Sequence, residues 1–178
     1  MSGARVERLS EFRHADLTEL VQATEDAIRD GIGFNWVVPP GKDLLETYWK
    51  GVLVVPDRVL FAARLDGVLA GSVQLLKPGP SKETSSFCVA LEAHFVAPWA
   101  RGHGLAKMLL EAAEREARSQ GFSVLRLSVR QTQERAIRIY EECGYICWGE
   151  LPYYEFVNAQ MIGGRFYYKN LEPISTLI

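Results

Sequence analysis

The segment 91–107 constrains the fold most strongly, because it joins a strand-like run to a helix-like run through a glycine turn. Pro98 ends the strand-like part, since proline has no N–H for a sheet ladder. Gly102 and Gly104 follow, and from Leu105 onward apolar residues recur at helical spacing. The first amides of a helix have no intrahelical partner, and glycine lets a phosphate approach the backbone. The segment therefore predicts an anion site. On the glycines alone, an ordinary turn before a surface helix explains it equally well.

The composition is that of a globular protein without a polyanion partner. The chain has 178 residues, 48% hydrophobic and 24% charged, which predicts one domain over 1–178. The net charge of −2 gives no reason to expect nucleic acid binding. No run approaches about 20 apolar residues, so no membrane span is expected. Three cysteines without a CxxC pair and three histidines without ligand spacing predict reduced thiols in the cytoplasm and no metal site.

Alternating strand and helix patterns predict one α/β domain with a mixed sheet. Asp66-Gly67 is a strong hairpin signal. The strand, helix and strand that follow residue 85 imply a crossover with parallel pairing. The predicted strands are 4–9, 58–65, 68–76, 85–96, 122–129, 145–148 and 164–171, and the predicted helices are 14–30, 43–51, 105–119 and 132–143.

Three phosphate-binding glycine motifs compete for the turn. A P-loop requires GxxxxGK[ST], which the sequence lacks. A dinucleotide fingerprint fails at Lys107, which stands at the last glycine position, and the next strand ends at Val129 and Arg130 without an acidic residue. The third motif, Arg-x-x-Gly-x-Ala, fits Arg101, Gly104 and Ala106 directly.

Together with two further features, this motif makes the sequence resemble the GNAT superfamily of acetyl-CoA-dependent N-acyltransferases. One feature is the strand 123–129. The other is similar to the family's A-x-x-[LF]-Y-E-x-x-G-[FY] and reads Ala136-x-x-Ile139-Tyr140-Glu141-x-Cys143-Gly144-Tyr145. The features stand in the family's order and spacing across residues 91–145. The resemblance implies a splayed, mostly antiparallel mixed sheet of about seven strands with about four helices.

An additional resemblance, to small bacterial acetyltransferases of the tabtoxin-resistance type, covers both ends of the chain. It rests on an early Gly-x-Gly-Phe loop and on two later segments: Trp148-Gly149-Glu150-Leu151-Pro152-x-Tyr154 and Phe166-Tyr167-Tyr168-Lys169-x-Leu171.

The superfamily resemblance also implies acetyl-CoA as co-substrate, without a metal. The pyrophosphate would lie on the amides of 101–107, and the pantetheine arm would pair with the backbone of 94–96. Gln133 stands where the family often has asparagine, and it carries the same amide group. The candidate cofactor-binding residues are His94, Phe95, Val96, Arg101, Gly102, His103, Gly104, Leu105, Ala106, Lys107, Gln133 and Tyr140.

The same resemblance implies the catalytic candidates. Glu92 is the candidate general base, and strand alternation places it on the same face as His94 and Val96. His94 is a rival base or a relay with Glu92, since histidine titrates near neutrality. Tyr140 is the candidate general acid for the leaving thiolate. The amide of Phe95 or Val96 would meet the oxyanion.

The expected activity is acetyl transfer to a primary amine of a small molecule: an amino acid, a polyamine or an amine-bearing antibiotic or toxin. Candidate substrate contacts are Phe34, Trp36, Glu92, Tyr153 and Tyr154. The alternatives are a peptide or protein N-acetyltransferase and a non-catalytic acyl-CoA-binding regulatory module. The sequence does not fix the oligomeric state; the resemblance adds a homodimer as one possible assembly, because family members often form dimers.

Overall fold

The computed structural model describes residues 3–32 and 34–172. The predicted mixed sheet of seven strands with four helices is confirmed. In chain order the elements are β1 (Arg5–Leu9), α1 (Asp16–Arg29), α2 (Lys42–Val54), β2 (Arg58–Leu65), β3 (Val68–Leu76), β4 (Cys88–Val96), α3 (Leu105–Ser119), β5 (Val124–Arg130), α4 (Glu134–Glu142), β6 (Ile146–Val157) and β7 (Gln160–Asn170). Within the described ranges, no helix has the length and apolar character needed to cross a membrane.

One sheet contains all seven strands, in the order β1-β2-β3-β4-β5-β7-β6. Neighbouring strands pair antiparallel except β4 and β5, which are parallel because α3 crosses between them. The predicted parallel pairing is thus confirmed, and it lies at the centre of the sheet.

Two hydrophobic clusters cover the two faces of the sheet. The α1/α2 face takes alternate strand residues such as Leu60 and Phe95, which pack under Trp49 of α2. The strand residues between them, such as Phe61, point to the α3/α4 face and pack under Leu109 of α3. The alternation of strand side chains therefore decides which helix pair each residue meets.

The last two strands are longer than predicted. The sequence predicts strands 145–148 and 164–171, whereas β6 and β7 are 12 and 11 residues long and form one hairpin. Gly149 and Pro152 interrupt the strand pattern, but β6 is an edge strand with register shifts at Cys147/Gly149 and Leu151/Glu155. Such an edge tolerates proline and bulges.

Candidate active site

The two central strands separate in the middle of the sheet. β4 and β5 pair only from Cys88 to Ala90, and beyond that point neither strand has a partner on this edge in the described part of the chain. β3 still holds the other edge of β4, where Gly71 pairs with Val96. A Cβ on Gly71 would lie 2.2 Å from the carbonyl oxygen of Phe95, so only glycine permits this approach. A V-shaped opening results, with an unpaired edge of β4 along one side.

The glycine turn at the end of β4 presents a row of unpaired amides. Gly102 and Gly104 adopt φ values of 82° and 78°, which favour glycine. The N–H groups of 102–107 have no hydrogen-bond acceptor among the residues that the structure describes; the first helical N–H with one is that of Met108, bonded to the Gly104 carbonyl at 3.1 Å. The positive end of the α3 dipole lies at the same place. The turn therefore has the donors of an anion site.

Acidic residues hold the cationic side chains beside this turn. Arg101 Nη1 lies 2.7 Å from the carboxylate of Asp30, and Lys107 Nζ lies 2.6 Å from that of Glu142. The imidazole of His103 folds back on the turn, with Nδ1 3.0 Å from the Arg101 carbonyl. These two cations are therefore partly neutralised by carboxylates, whereas the backbone amides of 102–107 have no partner among the described residues.

A bulge in β4 separates two of the predicted catalytic residues. Ala93 has φ of 47°, and β4 carries one extra residue relative to β3 between neighbouring pairs. An extra residue reverses the alternation of side chains. Glu92 consequently points to the α1/α2 face, whereas His94 and Val96 point to the α3/α4 face. The prediction that Glu92 shares a face with His94 and Val96 is wrong.

On the α1/α2 face, Glu92 ends a chain of polar contacts. Its carboxylate lies 2.8 Å from Arg58 Nη1, and Arg58 donates to Gln74 Oε1 at 2.6 Å. Gln74 Nε2 donates to the hydroxyl of Tyr48 at 2.9 Å, and burial raises the pKa of Tyr48. The Tyr48 ring contacts Trp36 edge-on at 5.4 Å. Sequence reasoning missed Arg58 and Gln74, although a glutamine within the apolar run of β3 was an available signal.

On the α3/α4 face, His94 and Tyr140 form a hydrogen-bonded pair in which Tyr140 is buried and His94 is partly buried. His94 Nε2 lies 3.0 Å from the Ala106 carbonyl, which only accepts, so Nε2 carries the proton. Nδ1 then accepts from the Tyr140 hydroxyl at 2.9 Å. Burial lowers the pKa of His94 to about 4 and raises the pKa of Tyr140. At neutral pH both groups are therefore uncharged, and both ring nitrogens of His94 are occupied.

The aromatic loop after α1 forms one wall beside Glu92. Phe34 is buried and packs against Trp36 and Phe95, with ring centroids 6.3 and 5.1 Å apart. Arg130, at the end of β5, donates to the Phe34 carbonyl at 2.8 Å and forms an ion pair with Glu155 of β6. The structure thus joins this wall to the β6–β7 hairpin through a buried arginine that sequence reasoning missed.

The hairpin supplies a second aromatic wall. The Tyr154 hydroxyl lies 2.7 Å from Ser128 Oγ of β5, and its ring contacts Phe166 edge-on at 5.7 Å. A Cβ on Gly164 would lie 2.3 Å from the Tyr154 ring, so this glycine lets the ring lie against β7. Tyr153, its neighbour, is 75% exposed. Of the two predicted tyrosines, Tyr154 is therefore the one fixed beside the opening.

Gln133 connects two helices. It precedes the first residue of α4, and its side-chain amide donates to the carbonyl of Gly31 at the end of α1. One of its amide hydrogens is thus used within the protein.

Comparison with known proteins identifies the family. The family model described as the acetyltransferase (GNAT) family matches residues 18–145. An uncharacterised N-acetyltransferase from the hisH-hisA intergenic region of Azospirillum brasilense is 53% identical over 135 residues, which cover 76% of this chain and 80% of that protein.

Solved structures show the same fold. An N-acetyltransferase from Staphylococcus aureus Mu50 aligns with a TM-score of 0.81 and 19% identity over 96% of this chain and 99% of its own. A phosphinothricin acetyltransferase from Sinorhizobium meliloti, solved in complex with acetyl-CoA, aligns with a TM-score of 0.77 and 16% identity over 94% of this chain and 88% of its own. The chain belongs to the acetyltransferase (GNAT) family and is an acetyl-CoA-dependent N-acetyltransferase.

Proposed function

We propose that this enzyme transfers the acetyl group directly to a primary amine of a small molecule. One observation carries the proposal: the Ala93 bulge places Glu92 and Tyr140 on opposite sides of β4, beside the opening between β4 and β5. A carboxylate suited to take a proton and a hydroxyl suited to give one are thereby separated. The amine would enter from the α1/α2 side, and the thiol would leave on the α3/α4 side.

The residues at the opening fit acetyl-CoA. The unpaired amides of 102–107 match a diphosphate, and the free edge of β4 at 94–96 matches the amide groups of a pantetheine arm. Bound there, acetyl-CoA supplies an acyl carbon activated as a thioester. For Arg101 to contact a phosphate, its guanidinium would have to exchange Asp30 for that phosphate.

Glu92 is the proposed general base. Its side chain is accessible, and Arg58 fixes the orientation of its carboxylate. Four residues of strand, roughly 13 Å, separate Glu92 from Val96, so the amine proton would reach Glu92 through a water molecule. His94 is unsuited to this role because both of its ring nitrogens are occupied and its lowered pKa makes it a weak base. We assign His94 the task of positioning Tyr140.

Tyr140 is the proposed general acid. Its raised pKa keeps the hydroxyl protonated at neutral pH, and the same burial raises the basicity of a thiolate beside it. To protonate the sulfur, the Tyr140 hydroxyl would have to turn its one proton from His94 Nδ1 to the thiolate. The amine proton goes to Glu92, and solvent restores both groups. The amide of Phe95 or Val96 would donate to the oxygen of the reacting carbonyl.

Two aromatic walls support a small amine substrate over a peptide. Tyr48, which contacts Trp36, is bonded to Gln74 on the β3 side of Glu92, and Tyr154 is bonded to Ser128 of β5 and contacts Phe166 of β7. Walls on both sides suit a compact molecule.

Location and assembly remain predictions. The free thiols of Cys88, Cys143 and Cys147 support a reducing compartment such as the cytoplasm. A homodimer is tested by light scattering of the purified protein.

Kinetics with a panel of amino acids, polyamines, amine antibiotics and peptides tests the proposal. Glu92→Gln and Tyr140→Phe should each lower kcat/KM by roughly 10²- to 10⁴-fold. Glu150→Gln is the matched control, because Glu150 is also an exposed strand glutamate paired with an arginine, Arg165, at 2.9 Å. It should change kcat/KM by less than about twofold. Unchanged rates in both catalytic variants, or higher kcat/KM for peptides than for every small amine, would refute the proposal.

A further inference from the structure

The α1/α2 face around Glu92 has a surplus of positive charge. Arg126 of β5 stands opposite Ala90 in the parallel register and points to the same face as Glu92, since its neighbours Leu125 and Leu127 pack on the α3/α4 face. Arg126 is exposed, none of the ion pairs in the described ranges includes it, and its side chain lies near the thiol of Cys88 at the start of β4. Two strand arginines thus lie on the face of Glu92: Arg58 in contact with its carboxylate and Arg126 on the neighbouring strand β5.

Arg58 keeps much of its hydrogen-bonding capacity unused. Both of its side-chain bonds, to Gln74 and to Glu92, leave from Nη1. A guanidinium has five N–H donors. The donors on Nε and Nη2 have no acceptor within the described ranges, and the side chain is 25% exposed. This edge has the fork geometry that binds a carboxylate through two parallel bonds.

We propose that the amine substrate also carries a carboxylate, which Arg58 and Arg126 recognise. This inference rests on the proposed function and narrows its substrate class to amino acids. The substrate ammonium faces Glu92, and its carboxylate takes the unused edge of Arg58. A polyamine would bring a second cation beside two guanidinium groups and be repelled.

Matched substrate pairs test the inference. Each pair consists of an amino acid and its primary amide, which present the same amine with and without the negative charge. The wild-type enzyme should favour the acid by at least about tenfold in kcat/KM, as expected for a charge-assisted bidentate contact. Arg58→Gln and Arg126→Gln should each reduce this acid-to-amide ratio, and Arg58→Lys should restore part of it.

The ratio separates carboxylate recognition from catalysis. Loss of Arg58 also releases Glu92, but that change affects both members of a pair and cancels in the ratio. Arg165→Gln is the control, because Arg165 is a strand arginine paired with Glu150 away from this site; its ratio should equal that of the wild type. Acetyl-CoA binding by calorimetry verifies that each variant is folded.

Two failures are distinguishable. A wild-type enzyme that acetylates amides or polyamines as well as amino acids, or a ratio unchanged in both arginine variants, overturns the inference and leaves the proposed function standing. An enzyme that acetylates none of the small amines overturns the proposed function itself.

Discussion

The partly buried His94 should make the stability of this enzyme depend on pH between about 4 and 6.5. Burial lowers the pKa of the folded-state imidazole to about 4, whereas an unfolded chain has the ordinary value of about 6.5. Protonation would place a charge in a partly desolvated site and remove the lone pair that accepts from Tyr140. The perturbation that tests this is His94→Gln, which removes the titrating group.

The sign and size follow from proton binding. Between pH 4 and 6.5 the unfolded chain binds more protons at this residue than the folded chain, so the free energy of unfolding falls as the pH falls through that window. From pH 8 to pH 5 the contribution of His94 should decrease by about 2 kcal/mol, as obtained from the two pKa values.

Urea unfolding of the wild type and of His94→Gln at pH 8 and pH 5 measures this contribution. The stability advantage of the wild type over the variant should be about 2 kcal/mol smaller at pH 5 than at pH 8. Other titrating groups cancel in this double difference. His14→Gln, which removes an exposed imidazole, is the control and should show a smaller change. An advantage that is equal at both pH values would refute the assignment of a neutral His94 that accepts from Tyr140.

Two further predictions concern the geometry of the opening. Gly71→Ala should lower stability by about 1–3 kcal/mol and lower kcat, because its Cβ would lie 2.2 Å from the Phe95 carbonyl oxygen. The control is Gly51→Ala in α2, where a Cβ meets open space and should raise stability by about 0.5–1 kcal/mol in thermal melts. Equal effects of the two substitutions would contradict the steric reason. Arg130→Met should lower stability by about 3 kcal/mol, because Glu155 loses its buried ion-pair partner. It should also raise KM for the amine more than KM for acetyl-CoA, because the aromatic loop loses the hydrogen bond at the Phe34 carbonyl. A loss of stability below about 1 kcal/mol would contradict the first expectation.

Local sequence signals located the elements and the glycine turn. Periodicity, Pro98 and the glycines are short-range features, so the end of β4 and the start of α3 followed directly from them. The full length of β6 and β7 was not predicted, because Gly149 and Pro152 break the local strand pattern. The pairing of β6 with β7 stabilises these strands instead. The turn residues Asn158 and Ala159 have φ of 50° and 61° without the glycine that usually signals such a turn.

The candidate site was predicted in part, because its polar contacts cross the sheet. Arg58, Gln74 and Glu92 come from three strands that are distant in sequence and adjacent in space. Nothing local to Arg58 indicates that it will meet Glu92. The same holds for Arg130, whose partners lie on the aromatic loop and on β6.

The bulge at Ala93 is the feature that turns one strand into a two-sided site. In a regular strand, Glu92 would point to the same side as His94, so the proposed base and the proposed acid would share one face, and the amine would approach through the space proposed for the thiol. One inserted residue sends Glu92 to the opposite face and leaves His94 against Tyr140. An alanine at φ of 47° is an unfavourable conformation, of order 1–2 kcal/mol. Alanine carries no local signal for it, so only the long-range pairing of β4 with β3 reveals that Glu92 and His94 lie on opposite faces, as the proposed mechanism requires.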